Sequence, residues 1–184
     1  MTTYYNINPQ FYVSVDCIIF GFDKGSLKLL LLKRNFEPAK GSWSLMGGFV
    51  QDGESVDDAA KRVLAELTGL ENVYMEQVGT FGEVDRDPGE RVISVAYYAL
   101  ININEYDRNL VQQHNAHWAE INEIPPLVFD HPQMVKQARI MLQKKASSEP
   151  IGFNLLPSLF TLFQLQSLYE AIYGEPLEKR NFRK

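Results

Sequence analysis

The ionisable residues with the most orderly spacing are Glu54, Arg62 and Glu66, which fall within residues 48–70. Carboxylates one helical turn apart can clasp a divalent cation, because magnesium demands hard oxygen ligands in near-octahedral geometry. The surrounding residues predict the helix that would present them. Gly47 and Gly48 make a flexible loop after the apolar run at 43–46, and Glu54 and Ser55 open the helix. Ser55 with Asp58 three residues on reads as a capping box, which satisfies first-turn amides. Val56, Ala59, Ala60, Val63, Leu64 and Leu67 recur at helical spacing and give one apolar face. Gly69 follows where a left-handed cap is expected. Glu66 lies off the centre of that stripe and supplies at best a single ligand.

This loop–helix–loop resembles the Nudix box, whose pattern is a glycine, five residues, a glutamate, seven residues, then Arg-Glu-apolar-x-Glu-Glu-x-Gly-apolar. Gly48, Glu54, Arg62, Leu64, Glu66, Gly69 and Leu70 fall on it in register, without a gap. The departures matter more. Where active Nudix hydrolases carry magnesium-holding glutamates, this chain has Val63 and Leu67, which extend the apolar stripe. Of that trio only Glu66 survives. Metal-assisted hydrolysis depends on a filled ligand set, so the resemblance implies a site without catalytic residues, resident metal or cofactor.

The totals suit one domain of about 150 residues plus something small: 184 residues, 45% apolar and 22% charged. The single cysteine, Cys17, sits in an apolar run and excludes an intramolecular disulfide framework, so a reducing cytoplasm is expected. His114, His117 and His131 are scattered and form no zinc-ligand pattern with it. The N-terminus lacks the basic start of a signal peptide, and no apolar run approaches membrane-spanning length. A net charge of −5 argues against nucleic-acid affinity over the whole surface, but leaves room for a local basic patch.

Residues 11–22 are β-branched and aromatic and predict a strand, followed by a turn at Asp23, Lys24 and Gly25. Residues 26–34 return as its hairpin partner, and 35–42, with Pro38 and Gly41, must be loop. Further strands are expected at 43–50, 73–81 and 91–103, the last being the longest. Residues 104–115 are polar; 116–121 form a short strand that Pro125 and Pro126 break. Residues 132–145 read as a helix with Pro132 in its tolerated first turn. His131 beside Asp130 reads as a cap or turn, and His117 and Trp118 as packing.

Between the 73–81 and 91–103 strands lies a charged loop, closed by Pro88 and Gly89. Its wording, Phe-Gly-x-x-Asp-Arg-Asp-Pro followed by Arg-Val-Ile-Ser-Val-Ala-Tyr, resembles the matching stretch of ADP-ribose-type Nudix proteins and their regulatory relatives. Arg86 and Arg91 are expected to meet a phosphate or sugar hydroxyls.

Residues 147–150 are short, polar and closed by proline, and mark a boundary between domains at 1–148 and 149–184. Beyond it, Thr161 with Gln164 gives a second capping box. Leu162, Leu165, Leu168, Tyr169, Ile172 and Tyr173 repeat at helical spacing, and Gly174 to Pro176 turn the chain. A basic segment follows. Helix, turn and basic second helix outline a helix-turn-helix. Lys179, Arg180, Arg183 and Lys184 would contact phosphates, Asn181 a base edge, and Phe182 would pack inward.

A degenerate Nudix box followed by this C-terminal outline resembles the Nudix-related transcriptional regulators, and within them the arabinose-responsive regulators of sugar utilisation. The resemblance runs from Phe11 onward. It implies an α+β fold, an α/β/α sandwich around a mixed sheet, carrying a C-terminal winged helix-turn-helix. In the family the basic helix continues and a β-wing follows, whereas this sequence stops at Lys184, so the DNA-binding part is expected to be truncated. The implied partners are a double-stranded operator, bound by a homodimer, and a small-molecule sugar or nucleotide-sugar effector, L-arabinose first and ADP-ribose next. The effector is expected in a cleft between the box helix and the 82–91 and 33–37 loops, met by Arg34, Glu37, Phe49 and Asp85. The rival reading is an active pyrophosphohydrolase on ADP-ribose or a related nucleoside diphosphate derivative, using Glu54, Arg62 and Glu66 with ligands from elsewhere. A scaffold that binds only a partner protein is the third.

Overall fold

The computed structural model describes residues 7–106 and 108–178. A seven-stranded mixed sheet organises it. Its strands are β1 (Tyr12–Asp23), β2 (Ser26–Lys33), β3 (Trp43–Ser44), β4 (Met46–Phe49), β5 (Tyr74–Phe81), β6 (Val92–Leu100) and β7 (Ala116–Glu120). β1 lies parallel to β6 from Tyr12↔Val92 to Phe20↔Leu100, and its other edge is shared by two antiparallel partners. β2 pairs with it at Phe20 to Asp23, and β4 takes over at Ser14 to Cys17. That handover splays β2 from β4 and opens the sheet at one end.

Alternation along β1 assigns the two faces. Val15, Cys17 and Ile19 pack under helix α1 (Val56–Thr68), with Ala60, Val63, Leu64 and Leu67 against them. Ile18, Phe20 and Phe22 face helices α3 (His131–Ser148) and α4 (Leu162–Tyr173). The α/β/α sandwich is therefore a direct consequence of two apolar faces on one strand. Asp16 has the parity of Ile18, which points a carboxylate toward α3.

Several elements differ from expectation. The strand at 43–50 is split into β3 and β4, because β3 pairs with β2 and β4 with β1. The 91–103 strand ends at Leu100, and β1 is the longest instead. Within the polar 104–115 stretch lies a six-residue helix, α2 (Arg108–Gln113), too short to show a periodic signal; its Val111 is buried. α3 runs on to Ser148. Both caps form where predicted, although Ser55 accepts from the Asp58 amide without the reciprocal bond. Thr161 and Gln164 make the full box. Gly69 closes α1 at φ 71°, a conformation costly for residues with a Cβ.

Candidate functional site

The splayed end of the sheet holds a cavity of about 360 Å³. β1 contributes Ser14, Val15 and Asp16, β4 contributes Gly47, Gly48 and Phe49, and the loop after β2 contributes Arg34, Phe36 and Glu37. Arg86, Asp87, Phe129 and His131 complete the wall. Arg34 is held in place before any ligand arrives. Its Nε donates to the Pro38 carbonyl at 2.8 Å, and its guanidinium lies 4.3 Å from the Phe36 ring centroid and 5.3 Å from that of Phe129. Burial lowers its pKa from the ordinary value, while the carboxylates of Asp87, Asp16 and Glu37 oppose the shift. No described carboxylate forms an ion pair with it, which leaves its charge for an anion.

The floor is a buried polar network. Arg86 donates to both oxygens of Asp130, at 2.8 and 2.7 Å, and stands 3.6 Å from Asp16. Burial works to lower the Arg86 pKa, but Asp130, with Asp16 and Asp87, leaves it raised. Asp16 also accepts from Ser94 at 2.6 Å. His131 Nδ1 accepts from the Leu45 amide at 3.1 Å, so the neutral ring carries its proton on Nε2, 3.6 Å from Asp16. Burial lowers the His131 pKa; Asp16 and Asp130 oppose that, and Arg86 and Arg34 add to it. Gly47 makes room for the floor, since a Cβ there would meet Asp16 Oδ1 at 2.5 Å and the Val15 carbonyl at 2.8 Å.

Of the box residues only Gly48 lines this cavity; Glu54, Arg62, Val63, Glu66 and Leu67 sit apart from it. Arg62 donates to both Glu54 oxygens at 2.9 and 2.7 Å and to the Phe49 carbonyl at 3.1 Å, fastening the loop to α1. Bonds from Arg62, then from the Gln51 amide, hold the Glu54 carboxyl down at about 2. Glu66 is an exposed partner of Arg62 at 3.4 Å. Val63 and Leu67, 5% and 7% exposed, belong to the core beneath β1. Among the described residues, no group of three or more His, Cys, Asp or Glu side chains is placed to hold a metal ion.

Of the expected effector residues, Arg34, Glu37, Phe49 and Arg86 line the cavity. Asp85 does not: it is exposed at the tip of its loop, and Asp87 takes the inward position. Nor does Arg91, whose guanidinium donates to the Glu83 and Gly82 carbonyls and stacks on Phe11, bracing the loop instead. Arg86 is already paired with protein carboxylates. The box helix, expected as one wall, contributes no lining residue; β4 lies between it and the cavity. Lys179, Arg180, Asn181, Phe182, Arg183 and Lys184 lie outside the described residues. Asp16, Asp130 and His131 join the site without having been expected there. One signal was present, a lone carboxylate amid the apolar β1 run; His131 gave none.

Comparison with known proteins identifies the chain. Family profiles match the NUDIX domain at residues 10–141 and the NrtR DNA-binding winged helix domain at residues 152–184. An ADPR responsive transcriptional repressor NtrR of Acinetobacter baylyi is 37% identical over 180 residues, covering 96% of this chain and 72% of the repressor. The chain belongs to the NrtR family of Nudix-related transcriptional regulators. The NrtR protein of Shewanella oneidensis in complex with a 27mer DNA superposes with a TM-score of 0.85 at 32% identity, covering 93% of this chain and 80% of that one. The NUDIX domain of the same NrtR, complexed with ADP ribose, gives 0.60 at 30% identity over 77% of this chain and 99% of that one. An ADP-ribose pyrophosphatase of Methanocaldococcus jannaschii is 36% identical over 124 residues, 67% of this chain and 70% of the enzyme.

Proposed function

We propose that the cavity binds an ADP-ribose-type effector and that its occupancy changes the hold of the C-terminal winged helix on operator DNA. The carrying observation is Arg34, a cation with no described carboxylate partner, held beside the rings of Phe36 and Phe129 in the wall of a cavity with a polar floor. A planar guanidinium suits a diphosphate, and Phe36, Phe49 and Phe129 offer faces for a base. Glu37 and Asp87 line the cavity and in this reading accept from ribose hydroxyls. The NrtR relatives described as ADPR responsive and as complexed with ADP ribose support this reading. A neutral pentose makes no use of Arg34, and no relative described above is linked to arabinose, so ADP-ribose takes precedence over L-arabinose. Titration calorimetry with both tests the choice; no heat from ADP-ribose would sink it.

In this reading the chain is a regulator and not an enzyme. Residues 1–148 sense the effector and 149–184 belong to the DNA-binding part, with Lys179, Arg180, Asn181, Arg183 and Lys184 contacting an operator as half of a cytoplasmic homodimer. The likeness to a pyrophosphatase keeps hydrolysis as the second reading. Magnesium-dependent AMP release from ADP-ribose, abolished by Glu66→Gln, would establish it.

A further inference from the structure

Helix α3 is tied at both ends by side chains that ignore its own backbone ladder. At the start, Asp130 occupies the N-cap position with φ −93° and ψ 10°, yet its side chain caps nothing. An N-cap aspartate ordinarily accepts from an amide two or three residues on. Here both oxygens are committed to Arg86, which lines the cavity. Toward the other end, Gln143 Nε2 donates to the carbonyls of Ile172 and Tyr173, at 2.9 and 3.4 Å. Those are the last residues of α4. Gln166 and Glu170 of α4 in turn grip Leu177 by its carbonyl, at 3.1 Å, and by its amide, at 3.0 Å. One helix therefore connects the cavity floor to the root of the basic segment, over roughly 18 Å at 1.5 Å rise per residue.

We infer that α3 is the relay between effector and DNA-binding segment, with Asp130 as its two-position switch and Gln143 as its output. This rests on the effector reading above, which supplies an anionic ligand. Phosphate oxygens in the cavity compete with Asp130 for Arg86. Released, the Asp130 carboxylate takes the Gln133 amide from its own backbone carbonyl, which accepts it at 3.0 Å and keeps the Met134 amide at 3.3 Å; the helix dipole favours a negative charge there. The start of α3 then shifts, and Gln143 passes the shift to the end of α4 and to Leu177. A bistable element biased by one ligand is the physical requirement for such coupling. A neutral sugar has no means of drawing Arg86 away.

Amide hydrogen exchange, paired with calorimetry on the full chain, tests this. Saturating ADP-ribose is expected to change exchange at Leu177 and the last turn of α4 by about threefold or more. Gln143→Met keeps the length but not the donor. It is expected to bind ADP-ribose within about twofold of the parent and to keep the change at the start of α3, while losing it at α4. Ligand bound with no change at α4 in the parent, or an undiminished change in Gln143→Met, overturns the relay and leaves the effector reading standing. Absence of binding removes the effector reading instead. Even then Asp130→Asn weakens the Arg86 pair without any ligand, and circular dichroism reports whether it folds. It should alter exchange at Leu177; unaltered exchange there overturns the relay independently.

Discussion

Arg34 and Arg86 are two arginines in one cavity with opposite situations. Arg34 has aromatic neighbours and one carbonyl, so in the proposed function its charge serves the ligand. Arg34→Ala should weaken ADP-ribose binding by about 10- to 100-fold, the scale of one charged hydrogen-bonding group, with thermal stability little changed; calorimetry and a melting scan check both. Arg86 serves the fold first. Its removal strands Asp16 and Asp130 in the interior, and Arg86→Ala should cost about 3–5 kcal/mol in denaturant unfolding. His131 adds a pH dependence. Its folded pKa lies below the ordinary 6.5, so below that pH the unfolded chain takes up the proton more readily. The contribution is therefore intact above pH 6.5 and is lost as pH falls toward the folded value. Melting temperature should drop between pH 7.5 and 5.5, taken as about one unit either side of it, and less steeply in His131→Asn. An unchanged slope in that variant would refute the assignment.

At the scale of elements, α1 keeps the shape of the box with Val63 and Leu67 in place of two of its carboxylates. Helix, cap and Arg62–Glu54 fastening need none of the missing carboxylates, so Val63 and Leu67 were free to join the core. Restoring one is costly. Val63→Glu puts a carboxyl where the side chain packs on Gly48, so closely that a Cβ on that glycine would lie 3.0 Å from Val63 Cγ2. It should destabilise by at least about 2 kcal/mol and still give no magnesium-dependent AMP release. For α4, Thr161→Ala removes the capping hydroxyl and should cost about 1 kcal/mol, measurable as a lower denaturation midpoint.

At the scale of the molecule, the segment beyond α3 shares a core with the sheet. Ile151, Leu155, Leu156, Leu168 and Ile172 pack in the same cluster as Phe20, Tyr98, Met134 and Leu142. Asn102, buried after β6, donates to the Leu156 carbonyl, and Tyr169 to that of Ile151. A single cooperative calorimetric transition is expected, because neither part can lose its face of the cluster alone. Two resolved transitions would show separate cores.

The sequence by itself determined what is local. Strand alternation, helical periodicity, both caps and the greasy substitutions at 63 and 67 are read within one or two turns of chain, and they settle the sandwich and the family likeness. Only the tertiary structure decided the cavity. Asp16, Arg86 and Asp130 meet from three distant parts of the chain, and no spacing rule links them. Asp85 and Asp87 differ by two residues in one loop, and Arg86 and Arg91 by five; which of them turns inward depends on the partners that the fold brings alongside. Charge complementarity across long sequence separations chose Arg86 for the floor, and the carbonyls of its own loop kept Arg91 outside.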